Sequence, residues 1–325
     1  MRYVEVPDGP KLSKIGLGTW QFGSREWGYG KDYESRAGDL ITRALDLGVT
    51  LIDTAEVYGM GRSERLVGEA LGDNRDRAVI ATKIFPVLPL AAVVQQRAVA
   101  SAARLGVEVI DLYQVHQPNP VIRDGATMKG MRALQQIGLV REVGVSNYSL
   151  DRWQAAEAEL GGRVLSDQVR YSLVSRGPDT DLIPYAQAND RIVIAYSPLA
   201  QGLLSGKYDA DHRPRGAVRA GNPLFLPENL ERATPLLRTL REVARTHDAS
   251  PAQIALAWTV RHRQVVAIPG ASGVEQLESN AAAADIELTE DEITALTDAA
   301  ERFEPITGAA ALPRLVRSRF RARTG

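Results

Sequence analysis

The chain contains no cysteine, which removes disulfides, thiolate nucleophiles and Cys-ligated zinc or iron–sulfur centres from consideration. Histidine is scarce as well. His116, His212, His247 and His262 are the only four, and no two share a metal-ligand spacing on a strand end, so no metal is expected. Lysine is confined to Lys11, Lys14, Lys31, Lys83, Lys129 and Lys207. Net charge is -1 with a pI near 6.5, which gives no global electrostatic case for nucleic acid or an anionic membrane. No run of about 18 apolar residues occurs, so no spanning helix is expected. The start, MRYVEVPDG, lacks the basic-then-apolar pattern of a signal peptide. A soluble, cytoplasmic protein is the expectation; oligomeric state is not legible in the pattern.

What is present is an ordinary globular balance over 325 residues, 44% hydrophobic and 24% charged. Short apolar or β-branched runs predict strands at Lys14–Gly18, Thr50–Asp53, Ala78–Lys83, Val109–His116, Val140–Ser146, Val164–Arg170, Ile192–Ser197 and Val265–Pro269. Between them, helical periodicity predicts Glu34–Leu47, Ser63–Leu71, Ala91–Leu105, Ala126–Ile137, Leu150–Leu160, Asp181–Ala188, Thr234–Thr246, Pro251–His262 and Val274–Ala284. Gly48 stops the first helix, Ser250-Pro251 starts another, and Thr289 to Glu292 reads as a capping box for a further C-terminal helix to about Ala300. Eight strand–helix repeats imply a parallel sheet that closes into a single-domain (β/α)₈ TIM barrel, here 1–304. The remainder, 305–325, is an Arg-rich tail (Arg314, Arg317, Arg319, Arg321, Arg323) with a solvated terminus as the default and docking at the active-site mouth or a subunit contact as the alternative. Trp20–Tyr33 and Gln201–Asn229 are too long for simple turns, and such loops in a barrel belong to the functional C-terminal face.

On that face four chemically capable side chains fall together. Asp53, Lys83 and His116 end three successive strands, and Tyr58 begins the connection after the first of these. An acid, a phenol, an amine and an imidazole are the groups needed to protonate a carbonyl oxygen while a bound cofactor delivers hydride to the carbon. A free tyrosine has a pKa of about 10; the Lys83 ammonium is expected to lower it, Asp53 to keep Lys83 charged and aimed, and His116 to orient the carbonyl. Taken singly, each has an ordinary role, as cap, core ring or satisfied polar group. A lysine closing an apolar strand has the weakest such reading, because a buried ammonium needs a partner.

The blocks IGLGTWQFG (Ile15–Gly23), IDTAEVYGMGRSERLVGEAL (Ile52–Leu71), ATK (Ala81–Lys83), LYQVHQP (Leu112–Pro118), GVSNY (Gly144–Tyr148), YSPLAQGLLSGKY (Tyr196–Tyr208) and IPGASGVEQLESN (Ile268–Asn280) together resemble the aldo-keto reductase superfamily across nearly the whole chain. The likeness is greatest to the branch that holds bacterial general reductases and potassium-channel β-subunits. It implies a barrel that binds extended NADP(H) and reduces aldehydes and ketones, with Tyr58 as general acid, Lys83 and Asp53 tuning it, and His116 positioning substrate. By the same resemblance Tyr196 stacks on the nicotinamide, while Ser146, Asn147 and Gln168 hold its carboxamide. Thr19, Trp20 and Asp53 are further expected cofactor contacts. The stretch Ser197–Lys207 wraps the pyrophosphate through Ser197, Leu199, Gln201, Gly202, Leu203, Ser205 and Gly206. Lys207 and Arg219 meet phosphates. Ser272, Gln276 and Asn280 serve the 2′-phosphate, ribose and adenine, and Pro269 and Gly270 are further expected cofactor contacts.

Two departures matter. Many relatives carry a cation just after the IPG segment, where this chain has Ala271, Ser272 and Gly273; NADP(H) stays favoured through Lys207 and Arg219, and NAD(H) stays open. Gln117 stands where relatives often have an aromatic, which bears on substrate choice. Trp20, Phe22, Trp27 and Tyr29, with Tyr33, are read as a substrate wall beside Tyr58 and His116, with packing of that loop on the barrel rim as the alternative.

Rival motifs fail. GMGRSE (Gly59–Glu64) has Glu64 where a dinucleotide loop needs its third Gly, and GLLSGKY (Gly202–Tyr208) is one residue short of a P-loop. A Schiff-base aldolase could use Lys83 but leaves Tyr58 and the cofactor blocks unexplained. The remaining alternative is a non-catalytic NADP(H)-binding regulatory subunit or redox sensor; such proteins can lack the histidine, which this chain keeps.

Overall fold

The structure is a computed structural model and describes residues 1–23, 35–214, 219 and 221–315. A short antiparallel hairpin, β1 (Tyr3–Val4) and β2 (Leu12–Ser13), precedes the barrel. Eight parallel strands then follow in sequence order: β3 (Leu17–Gly18), β4 (Leu51–Asp53), β5 (Val79–Ile84), β6 (Ile110–Val115), β7 (Val140–Ser146), β8 (Val164–Arg170), β9 (Ile192–Tyr196) and β10 (Val265–Ala267). The last strand returns to the first. Gly16 N donates to Ala267 O at 2.8 Å, Ala267 N to Lys14 O at 2.9 Å, and Gly18 N to Pro269 O at 3.2 Å. A Cβ at Gly18 would stand 2.7 Å from Ile268 O, so the seam closes there only on glycine.

Period-two alternation sorts the side chains. Leu51, Ala81, Leu112, Ile192, Ile194 and Val266 fill the barrel interior. Val4, Val6 and Leu12 join the same cluster, so the hairpin plugs the bottom of the barrel. The alternate residues, such as Ile52 and Ile80 or Tyr113 and Val145, face the helices.

Those helices are α1 (Ala37–Asp46), α2 (Arg62–Leu71), α3 (Ala91–Leu105), α4 (Asp124–Gln136), α5 (Leu150–Leu160), α6 (Leu182–Ala188), α7 (Pro227–Thr246), α8 (Pro251–Thr259), α9 (Val274–Ala282) and α10 (Glu290–Glu301). In α1 the buried set Ala37, Leu40, Ile41, Ala44 and Leu45 is the stripe an amphipathic helix presents to a sheet. Gly48 ends that region with φ +80°, and Ser250 with Gln253 and Thr289 with Glu292 form complete capping boxes. Among the described residues no helix is long and apolar enough to cross a membrane.

Several boundaries differ from the expected ones. The hairpin was not anticipated, because two strands of two residues carry no periodic signal. Helix α4 starts two residues before Ala126, and α8 stops at Thr259 instead of His262. Helix α7 starts at Pro227, well before Thr234, and runs through Pro235. Proline removes one backbone donor there, but the buried face of Leu230, Ala233, Leu236, Leu237 and Leu240 outweighs that loss. Beyond α10 the chain packs back on α7: Asn229 Nδ2 donates to Ile306 O (3.0 Å), and Ile306 N donates to Asn229 Oδ1 (2.7 Å). The arginines Arg317, Arg319, Arg321 and Arg323 lie outside the described residues.

Candidate active site

The alternation that fills the barrel also delivers Asp53, Lys83, Gln168 and Tyr196 to its C-terminal end, each in step with an inward neighbour two residues earlier. Lys83 is fully buried and Asp53 is 2% exposed. The Lys83 Nζ donates to Asp53 Oδ1 at 2.6 Å and to Thr54 O at 2.7 Å. Gln168 Nε2 donates to the other carboxylate oxygen at 2.7 Å, so the acid is held from both sides. Tyr58 arrives on the loop after β4. Its N–H closes a turn on Ala55 O (3.1 Å), and its C=O accepts Ser63 N at the head of α2. The next residue, Gly59, has φ +54°, and a Cβ there would meet Gly23 O at 2.9 Å. This fixed loop sets the Tyr58 ring with its centroid 5.1 Å from Lys83 Nζ and 5.7 Å, edge to face, from the His116 ring.

The electrostatics of the cluster follow from its dryness. Burial alone would lower Lys83, but Asp53 and then Tyr58 outweigh it, and its pKa sits above the ordinary lysine value. Burial, with the Lys83 charge behind it, pushes His116 down to about 3, so the imidazole is neutral in the physiological range. Its Nδ1 is buried with no hydrogen-bond partner among the described residues. For Tyr58 the expected direction is corrected. Burial raises the phenol, Lys83 pulls it down, and the Asp53 charge cancels part of that pull, so the net shift is upward. The phenol therefore keeps its proton through the neutral range.

A groove of about 1320 Å³ runs from Tyr58 and His116 past Ser146, Asn147, Gln168 and Tyr196, along Ser197 to Lys207, and out to Ser272, Gln276 and Asn280. Its polar lining is tied together. Ser146 Oγ donates to Gln168 O (2.7 Å), Asn147 Nδ2 to Ser146 Oγ (3.0 Å), and Tyr196 OH to Asn147 Oδ1 (2.9 Å). Asn147, Ser197, Ala200 and Gln201 have positive φ, and strained non-glycine backbone of this kind gathers at ligand clamps. Trp20, Leu199, Gly202, Ser205, Arg219, Pro269 and Gly270 also line the groove. Five of the predicted residues are not brought to its wall, the first being Lys83, which is fully buried beside the Tyr58 ring. Thr19 is buried with its hydroxyl committed to Asp53 O and Ser63 Oγ. Leu203 is fully buried in the core behind its loop. Gly206 turns the chain at φ +70° behind the lining. Phe22, read as a substrate wall, is fully buried against Leu17, Leu40 and Ala271, because Phe22 N closes a turn on Thr19 O that tucks the ring under the loop. Trp27, Tyr29 and Tyr33 lie outside the described residues.

In sequence and in fold the chain is similar to a known group of enzymes. The family model for the aldo/keto reductase family matches residues 14–301. The chain belongs to that family. An uncharacterized oxidoreductase of Mycobacterium tuberculosis is 56% identical over 324 residues, covering 99% of this chain and 100% of its own. A methylglyoxal reductase of Escherichia coli is 32% identical, covering 92% of this chain and 94% of its own. Among solved structures, the glycerol dehydrogenase of Gluconobacter oxydans superposes with TM-score 0.85 at 30% identity, over 94% of this chain and 98% of that one. An aldo-keto reductase of Klebsiella pneumoniae in complex with NADPH superposes with TM-score 0.74 at 30% identity, over 94% and 96%. This aldo-keto reductase is accordingly an oxidoreductase that acts by carbonyl reduction.

Sequence reasoning missed part of the site of this aldo-keto reductase. Arg36 and Asp39 at the head of α1, together with Gln21, line the groove, and nothing in their local pattern separates them from a solvated helix start. Glu56 and Arg97 were also missed. The Glu56 carboxylate accepts Phe85 N and, at 2.9 Å, Arg97 Nε, while Arg97 Nη1 donates to Phe85 O at 2.8 Å. This clamp joins the loop carrying Tyr58 to the end of β5. Phe85 in turn stands edge-on to His116, 6.0 Å between centroids.

Proposed function

We propose that this enzyme reduces aldehydes and ketones to alcohols with NADPH, Tyr58 supplying the proton. The observation that carries the reading is the buried Asp53–Lys83 pair under the Tyr58 ring, with a neutral His116 facing the same point. A bound NADPH supplies hydride from its nicotinamide. The long groove and its strained polar loop fit an extended dinucleotide: Tyr196 offers a ring face, Ser146, Asn147 and Gln168 hold the carboxamide, and the backbone of Ser197 to Lys207 surrounds the pyrophosphate. Ser272, Gln276 and Asn280 serve the adenosine end. Ser272 Oγ already lies 2.8 Å from Gln276 Oε1, and Asn280 Nδ2 donates to Gly270 O at 3.3 Å; these three are neutral, while Arg36, Asp39 and Glu275 also line the groove. We assign cationic recognition of the phosphates to Arg219 and Lys207, and NAD(H) is the weaker cosubstrate.

The chain's own residues manage the proton. Tyr58 arrives protonated, because burial holds its pKa up. His116, neutral, offers a hydrogen bond that orients the carbonyl oxygen against the phenol. As the phenol gives up its proton, the Lys83 ammonium stabilises the phenolate left behind, and Asp53 keeps that ammonium charged. General acid catalysis of this kind contributes roughly 10²–10⁴ in rate. Assay of NADPH oxidation against a panel of aldehydes and ketones is the test. Turnover of at least one class with NADPH favoured over NADH supports the reading. Tight NADPH binding with no turnover across the panel would point instead to a regulatory subunit.

A further inference from the structure

Exposed apolar side chains concentrate on three consecutive loops at one side of the Tyr58–His116 cluster. Val57 follows β4, Phe85, Val87 and Leu88 follow β5, and Val121 follows β6. Val87 is 57% exposed, Leu88 63% and Val121 86%. From Ile84 to Leu90 the sequence is IFPVLPL, without a polar or charged residue, on a surface loop where polar residues are the rule. Ile84, Pro86 and Pro89 are buried, but Phe85, Val87, Leu88 and Leu90 are not, so burial of these four does not hold the segment. It is held by its backbone: Phe85 O accepts Arg97 Nη1 (2.8 Å), Pro86 O accepts Asn119 Nδ2 (2.8 Å), Pro89 O accepts Thr127 Oγ1 (3.0 Å), and Phe85 N reaches the Glu56 carboxylate. Two prolines stiffen it further. Leu88 has φ +49°, a conformation a leucine rarely adopts, and its side chain gains no burial in return. Strain of this kind persists where the surroundings over-determine it, typically at ligand clamps. The three loops are continuous, since Glu56 meets Phe85 and Asn119 joins Pro86 to the Val121 turn, where its Oδ1 accepts Val121 N at 2.8 Å. The inner edge of the patch is the Phe85 ring, edge-on to His116.

We infer that this rim is a subsite for the non-reacting part of the substrate, and that the preferred substrates are carbonyl compounds with an extended apolar tail. The inference rests on the carbonyl-reductase reading above and adds the substrate class to it. With the carbonyl between Tyr58 and His116, a tail leaving past Phe85 lies along Val87 and Leu88. The rim is rigid and apolar before any ligand arrives, so ordering it on binding costs little. A compact, polar dicarbonyl such as methylglyoxal gains nothing from it.

The test is kcat/KM with NADPH for the straight-chain aldehydes from propanal to decanal, with methylglyoxal alongside. Each methylene placed on the rim is expected to raise kcat/KM about fourfold, until the tail outruns Leu88. The paired variant Val87→Ser, Leu88→Asn removes the apolar surface, and asparagine tolerates the left-handed backbone that Leu88 strains against. In it the decanal-to-propanal ratio is expected to fall at least tenfold. A ratio is the readout because a folding defect lowers both members alike. A flat series in the parent enzyme, or an unchanged ratio in the variant, overturns the inference while leaving carbonyl reduction intact. A flat series in a parent that sediments as a dimer, with a variant that sediments as a monomer, also overturns it and gives the rim to a second copy of the chain. Absence of turnover with every aldehyde and ketone overturns the underlying reading, and this one with it.

Discussion

Removing the charge under the phenol separates stability from catalysis. Lys83→Met deletes an ammonium that is fully buried and 2.6 Å from Asp53. The Asp53 carboxylate then stays behind, nearly dry, with Gln168 Nε2 as its remaining side-chain donor. Breaking a buried pair from one side costs about 3–5 kcal/mol, and at roughly 2–4 °C per kcal/mol for chains of about 150–250 residues the Tm is expected to fall on the order of 10 °C. The catalytic effect is independent of this. A unit charge 5.1 Å from the Tyr58 ring centroid stabilises the phenolate by about 3 kcal/mol at an effective dielectric of about 20, a factor of roughly 10²–10³ in rate. The double variant Lys83→Met, Asp53→Asn removes the stranded carboxylate. Calorimetry is expected to show most of the lost Tm restored, while steady-state turnover stays down by the same 10²–10³. If turnover recovers together with Tm, the ammonium acts by holding the fold and the electrostatic reasoning is wrong.

Other consequences are open to direct measurement. Folded His116 has a pKa near 3 against about 6.5 unfolded, so between those values the unfolded chain binds the extra proton and stability falls as pH falls. The slope is up to about 1.4 kcal/mol per pH unit. Denaturant melts of His116→Gln should show a shallower loss over that window; an identical profile would mean the imidazole is already charged in the fold. Gly18→Ala drives a methyl onto Ile268 O at the barrel seam and should cost about 1–3 kcal/mol, read as a lower denaturant midpoint; an unchanged midpoint would mean the seam gives way easily. Arg219→Ala should weaken NADPH binding more than NADH binding in fluorescence titration, and equal weakening would remove Arg219 from 2′-phosphate recognition.

How far the chain could be read depended on whether a residue's surroundings are local. Asp53, Lys83 and His116 were legible because each ends a run whose period-two pattern fixes both its face and its end of the barrel. The capping boxes at Ser250 and Thr289 were legible because all their partners lie within one turn. Phe22 misled because an aromatic in the loop after the first barrel strand looks like a pocket wall, and only the turn onto Thr19 reveals the ring beneath it. Pro235 suggested a helix boundary, since proline is costly mid-helix; the buried face that overrides it spans both sides of the residue. The Glu56–Arg97 clamp joins residues 41 apart, and no spacing rule connects them. The direction of the Tyr58 shift failed for a related reason: a sequence displays the neighbouring ammonium but not the dryness that opposes it.

In the proposed reaction the Tyr58 hydroxyl gives up the proton while other groups hold the cofactor. Tyr58→Phe keeps the ring and deletes only that hydroxyl, so turnover and NADPH dissociation constant measured on the same preparation test it most directly. Turnover is expected to fall by roughly 10²–10⁴ with NADPH affinity unchanged within about twofold. Near-normal turnover in this variant would contradict it.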